Sequence, residues 1–290
     1  MIVSDGALLP PGARDGGVVH TYLGAGGRAL RYRAVEAARP RHRLLYLHGI
    51  ESHGTWFLPT AERLAAAGCT TYLLDRRGSG LNRAPAPGDA RSARELLDDV
   101  RAMRAHLATP LLHLVGLSWG GKLATAVALD QPDGLGSLTL ITPGLCPRVD
   151  LSLPQKLAVL AGRAFGGANL VRLPIAPEMF TTDAALLEFI RADPWRLHAA
   201  TGRLLWASRA LDRMVRARLR VLDLPVLLFL AERDRIIDNT RVADLLAALP
   251  QGRLRTHRYA GATHSIQLDE PDRLARDIAA FLDDAASTPR

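Results

Sequence analysis

Lysine is nearly missing from this chain: Lys122 and Lys156 are the only two among 37 basic residues, and arginine supplies the rest. Against 29 acidic residues this leaves a formal charge of +8. Such an excess points either to a basic binding surface or to a GC-rich genome that writes Arg for Lys. No arginine cluster is interleaved with aromatic residues as a stack of bases needs, so no nucleic-acid partner is expected. Cysteine is equally sparse. Cys69 and Cys146 stand alone, whereas a disulfide framework needs more cysteines in a smaller chain. Neither has metal-ligating neighbours at useful spacing, so both read as reduced thiols and no metal is expected. No run of about 18 apolar residues occurs, which argues against a membrane-spanning helix. Residues 1–17 lack the basic start and apolar stretch of a signal peptide, which makes the cytoplasm the default location.

What is present is material for a large core. The 290 residues are 48% hydrophobic, enough for one big core domain or a core with an insertion. Residues 18–22 and 30–34 read as strands flanking a hairpin turn at Gly24–Gly27. Strands at 44–48, 70–75, 111–116 and 137–141 alternate with helices at 55–67, 91–107 and 119–129. The apolar run 111–116 fits a strand buried on both faces. From Leu145 to about Leu222 no convincing buried strand follows, and 154–164, 183–192 and 195–216 read as helices. A connection this long exceeds an ordinary loop. Alternation then resumes with a strand at 226–230, a helix at 239–249, a strand at 254–259 and a helix at 270–285. The pattern predicts an α/β fold with a mostly parallel sheet. Residues 1–144 and 223–290 form its core, and 145–222 an inserted helical cap.

Chemistry concentrates in Gly116-Leu117-Ser118-Trp119-Gly120-Gly121. The segment follows an apolar strand and precedes a helix, the setting a nucleophile elbow requires. Ser118 is therefore the candidate nucleophile, at the carboxyl end of the sheet where open α/β folds bind ligands. Of nine histidines, His264 lies in the loop after the last strand, on the same sheet edge. His257 falls inside that strand, and His113 inside the strand before the elbow. His20, His42, His106 and His198 read as surface or packing residues. Asp234, after the strand at 226–230, is the candidate orienting acid. Glu232 is a nearby rival, and Asp238 reads as a helix cap. The order Ser118, Asp234, His264 matches the order this chemistry follows on α/β sheets. An oxyanion needs donors: the Trp119 amide is the first, and the Ile50 amide, on the loop His48-Gly49-Ile50-Glu51-Ser52-His53-Gly54, the second. His53 is a candidate substrate contact, with support of the loop backbone as its other reading.

With these residues in hand, the chain resembles an α/β-hydrolase of the monoacylglycerol lipase and lysophospholipase group, which is serine aminopeptidase S33-like. The His48-Gly49 loop, Asp75-Arg76-Arg77-Gly78-Ser79-Gly80, the elbow, Asp234 and Gly261-x-x-His264 fall in that group's order from about Leu44 to Leu282. Arg191-Ala192-Asp193-Pro194 and the helix after it resemble the group's cap. The resemblance implies an eight-stranded sheet flanked by helices and a helical cap. It implies an ester-cleaving serine hydrolase that works through an acyl-enzyme on Ser118, with no cofactor. Thioesterases, aminopeptidases and C–C hydrolases share the motifs, and a non-catalytic ligand-binding fold is a further alternative. Trp119 is bulkier than the group's usual residue there, which implies a narrowed acyl pocket. The substrate expected is a small acyl ester. Basic residues outnumber acidic ones between Arg148 and Arg220, so transient contact of the cap with an anionic lipid surface is also expected.

Overall fold

The computed structural model describes residues 5–14, 16–163 and 166–287. Eight strands form one sheet, in the order β1-β2-β4-β3-β5-β6-β9-β10. They are β1 (Val18–Leu23), β2 (Ala29–Val35), β3 (His42–Leu47), β4 (Cys69–Leu74), β5 (Leu112–Leu117), β6 (Leu135–Ile141), β9 (Val226–Ala231) and β10 (Leu254–Tyr259). The β1–β2 and β2–β4 pairs are antiparallel, and every other pair is parallel. Helices α1 (Leu58–Ala66), α2 (Ala93–Leu107), α3 (Trp119–Asp130), α7 (Asn239–Leu246), α8 (Ile266–Asp269) and α9 (Pro271–Ser287) connect or flank these strands.

The central strands are buried on both faces, because alternate residues point into different layers. In β3, Leu45 and Leu47 join the layer of α2 and α3, while Leu44 and Tyr46 join that of α1 and α9. In β5, Leu114 takes the first side and Val115 the second. Helix starts follow local chemistry. Ser92 Oγ accepts the Glu95 amide, and Glu95 reaches back to the Arg91 amide, a reciprocal cap that sets the first turn of α2.

Between β6 and β9 the chain builds α4 (Leu153–Arg163), β7 (Leu170–Arg172), α5 (Ala184–Ala192), β8 (Ala199–Thr201) and α6 (Gly202–Arg218). Two details differ from the sequence reading. The segment contains strand pairing, since β7 and β8 form a short antiparallel ribbon. The long helix begins at Gly202 and not at Trp195. Thr201 caps it by accepting the Leu204 amide, and the buried residues before the cap are drawn onto the loop of residues 51–53. Trp195 packs beside His53, and the Leu197 amide donates to the Glu51 carbonyl. Tertiary bonds hold 195–198 out of a helix that its apolar spacing would allow. The Ala164 end of the predicted 154–164 helix lies outside the described residues. Among the described residues, no helix is long and apolar enough to cross a membrane.

Candidate functional site

Ser118 closes β5 and opens α3. Its φ of 51° and ψ of −123° lie where side chains are rarely found. Three backbone bonds hold it there. The Ser118 amide donates to the Ile141 carbonyl, and the Ser118 carbonyl accepts from the Gly121 and Gly144 amides. The turn closes so tightly that Gly116 and Gly120, two residues to either side, must lack side chains. A Cβ on Gly120 would lie 2.0 Å from the Leu47 carbonyl oxygen, and one on Gly116 would lie 2.6 Å from Gly121 Cα. Gly120→Ala is therefore expected to cost about 3 kcal/mol or more of stability, measured by chemical denaturation. A variant as stable as the parent would mean that β3 can yield where this packing says it cannot.

His264 sits in the loop between β10 and α8 and is buried. Its Nδ1 donates to Asp234 Oδ2 over 2.9 Å. The Asp234 Oδ1 accepts the amides of Ile236 and Ile237, each at 2.8 Å. An ionised carboxylate only accepts, so this contact places the ring proton on Nδ1 and leaves Nε2 with its lone pair. Thr142 Oγ1 fixes the loop by donating to the His264 carbonyl. Nε2 is buried, and among the described residues no group hydrogen-bonds it, Ser118 included. Ser118 and His264 nevertheless border one narrow cavity, together with Gly49, Ile50, Ser52 and Gln267. Such bonds commonly tighten only when substrate is bound.

The two proposed amide donors stand on different elements. Trp119 is the first residue of α3, so its amide has no acceptor inside the helix. Ile50 borders the cavities at Ser118. Its peptide is held from behind by Arg76, whose guanidinium donates to the Gly49 and Ile50 carbonyls at 2.8 and 2.6 Å. In a trans peptide the N–H points opposite to the C=O. Clamping the Gly49 carbonyl on Arg76 therefore turns the Ile50 amide away from Arg76. His48 completes the loop by accepting the Arg76 amide on Nε2. Burial, aided by Arg76, holds His48 well below the usual histidine range, so it stays the neutral acceptor this bond needs.

His53 is placed differently from the substrate contact expected of it. It has no exposed surface. Its Nε2 lies 2.8 Å from Asp193 Oδ2, and its Nδ1 is 2.9 Å from Thr55 Oγ1. Trp56 donates to the same Asp193 oxygen at 2.6 Å. With both nitrogens engaged and no border on the cavities described at Ser118, His53 supports the loop. Glu51 makes a second tie, accepting from Arg196 Nε and Nη2 at 2.8 and 2.7 Å. Arg196 and Asp193, which tie Glu51 and His53 to the later segment, lie more than a hundred residues along the chain, so neither tie has a local sequence signal. The rejected alternatives have other partners. His257 lies 3.3 Å from Asp277 and His113 bonds Ser137. Glu232 accepts the Gly261 amide, and Asp238 caps α7 through the Arg241 amide.

A cavity of about 490 Å³ runs from Ser118 beneath α4 and α6. Leu160, Leu173, Leu205, Trp206 and Ile237 make its walls largely apolar. Trp119 is one wall but does not close the cavity. Its indole is fixed in place by a 2.9 Å bond to Ser208 Oγ, with Arg76 5.0 Å from the ring centre. Lys122 lies one turn further along α3 and bonds Ser208 at 3.0 Å and Asp212 at 2.8 Å. Burial lowers its pKa and Asp212 opposes the shift. Lys156, paired with Asp150, and the exposed Arg209 also border the cavity. Both lysines of the chain thus line the space beside Ser118. Their rarity was the one sequence signal that could have marked them.

Comparisons with known proteins agree with this architecture. A family profile described as "Serine aminopeptidase, S33" matches residues 38–272. A proline iminopeptidase of Clostridium botulinum is 30% identical over 38% of this chain and 38% of its own length. The chain thus spans less than half of the curated iminopeptidases it first matches. A monoacylglycerol lipase of Mycolicibacterium smegmatis is 25% identical over 87% of this chain and 91% of its own. A soluble variant of monoglyceride lipase from Saccharomyces cerevisiae, solved with a substrate analog, superposes with a TM-score of 0.82 at 18% identity. It covers 97% of this chain and 100% of that one.

Proposed function

The chain belongs to the serine aminopeptidase S33 family, within the monoacylglycerol-lipase-like α/β-hydrolases, and from that premise we propose that it cleaves carboxylic esters through an acyl-enzyme on Ser118. The observation that carries this reading is the Asp234–His264 bond, which leaves Nε2 as a free base on the cavity that Ser118 borders. His264 takes the Ser118 proton as Oγ attacks the ester carbonyl. The Trp119 and Ile50 amides receive the oxyanion. His264 returns the proton to the departing alcohol. Water, deprotonated by His264, then releases the acid and restores Ser118.

The apolar walls of the larger cavity favour an acyl chain such as that of a monoacylglycerol or lysophospholipid. An aminopeptidase would need a carboxylate free to hold a substrate ammonium. The two that border the cavity, Asp150 and Asp212, are each paired with a lysine, which favours the ester over the peptide. On α4, Leu153, Leu157 and Leu160 are exposed at helical spacing, with Lys156 among them. That combination supports transient contact with an anionic membrane surface.

A fluorophosphonate probe should add to the peptide containing Ser118. A hydrolysis panel of monoacylglycerols, lysophospholipids, thioesters and aminoacyl amides should then rank an oxygen ester first. An unlabelled Ser118 would end the acyl-enzyme reading. A preference for aminoacyl amides or thioesters would replace the ester with that bond.

A further inference from the structure

The narrow cavity beside Ser118 is distinct from the larger one beneath α4 and α6. The space in it open to a water-sized sphere is about 10 Å³, roughly the room one water needs. Ser52, Gln267, His264 and Ser118 all border it. Ser52 Oγ, His264 Nε2 and both polar atoms of the Gln267 side chain are buried, and among the described residues no group hydrogen-bonds them. Gln267 is 0% exposed and Ser52 3%. The Gln267 side chain is not needed to anchor its own turn, because its backbone carbonyl already accepts from Thr60 Oγ1 at 2.9 Å. A buried carboxamide without partners costs about 1–3 kcal/mol for each group left unpaired. Apolar residues surround much of the cavity, including Leu117, Trp56, Phe180 and Ile236, so a leucine at position 267 would suit the packing. A donor and an acceptor there call for a small polar partner.

We propose that this cavity seats the water that hydrolyses the acyl-enzyme, held by Ser52 and Gln267 and activated by His264 Nε2. The proposal rests on the acyl-enzyme reading above. The water oxygen forms a bond to the acyl carbonyl carbon while one of its protons passes to Nε2. The tetrahedral intermediate then collapses, the bond from that carbon to Ser118 Oγ breaks, and Oγ takes the proton back from His264. The products are the free acid and the starting enzyme. Ser52 and Gln267 act in the second half of the reaction only, because the attack of Ser118 needs no water.

This asymmetry gives the test. Gln267→Leu and Ser52→Ala are to be compared with the parent on p-nitrophenyl butyrate by stopped flow and intact mass. The burst of one p-nitrophenolate per enzyme should keep its rate within about twofold, while steady-state turnover falls about 10- to 100-fold, the range that misplacing a reacting group produces. Butyryl-enzyme should then accumulate during turnover. A burst and steady state that fall together, or turnover that does not change, would overturn the proposal. Ser52→Ala removes one atom, so it carries the test should Gln267→Leu fail to fold. A parent protein that gives neither a burst nor a fluorophosphonate adduct would instead overturn the acyl-enzyme reading on which the water seat depends.

Discussion

Asp234→Asn is expected to lower kcat/KM for esters by about 10⁴-fold while leaving the protein folded. The reason lies in the two amides behind the carboxylate. Ile236 and Ile237 both donate to Oδ1, so an asparagine must turn its carbonyl oxygen toward them. Its NH₂ group then faces His264 Nδ1 and can only donate. The ring is forced to accept on Nδ1 and to carry its proton on Nε2, the tautomer unable to take a proton from Ser118. A comparable loss follows when the equivalent substitution is made in a serine protease. Ser118→Ala should lose at least as much. Kinetics on the preferred ester, with circular dichroism to check folding, decide the matter. An Asp234→Asn enzyme within tenfold of the parent would show that the ring is oriented by something else.

The second large effect is on stability. Arg196→Met should destabilise the fold by about 3–5 kcal/mol at pH 8, the usual cost of stripping the partner from a buried ion pair, and by less at pH 6. Burial pushes the Glu51 carboxyl up to about 7, against the pull of Arg196. An unfolded glutamate titrates near about 4.3. Between those values the folded state binds more protons than the unfolded one. Glu51 therefore contributes stability that is fully present below about pH 4.3 and is lost as pH rises through about 7. Removing Arg196 leaves burial unopposed and moves the folded value higher still. At pH 6 the variant keeps a neutral acid, whereas at pH 8 it must hold a proton against solution or bury a bare carboxylate. Urea titrations at the two pH values give the comparison. An equal cost at both would mean that Glu51 does not titrate in this window.

These two sites mark where sequence reasoning reaches and where it stops. Strands β3, β5 and β9 were legible because burial on both faces leaves near-continuous apolar runs. The elbow was legible because a turn that tight admits glycine on both sides of Ser118. Asp238 could be set aside from its own neighbours, since Asn239 and Thr240 mark a helix start. Nothing near Glu51 or His53 announces Arg196 or Asp193, because those bonds form only once the chain between β6 and β9 folds back over the loop. The same bonds explain the misplaced start of α6: spacing read from Trp195 onward could not include the pull of residues 51 and 53. Arg76 looked like part of a family motif, and only its reach to the Gly49 and Ile50 carbonyls shows what it does to the loop.

The loop of residues 48–54 carries the Ile50 amide and is riveted to segment 193–197 by Glu51 and His53. The stretch between β6 and β9 is therefore not an interchangeable part. Grafting a foreign insertion to change substrate range would bring new walls but remove Asp193 and Arg196. Glu51 would be left behind without Arg196, and His53 with Thr55 but without Asp193. Any lineage that remodels this roof must redesign positions 51 and 53 with it, one and three residues on from Ile50 at the border of the Ser118 cavities.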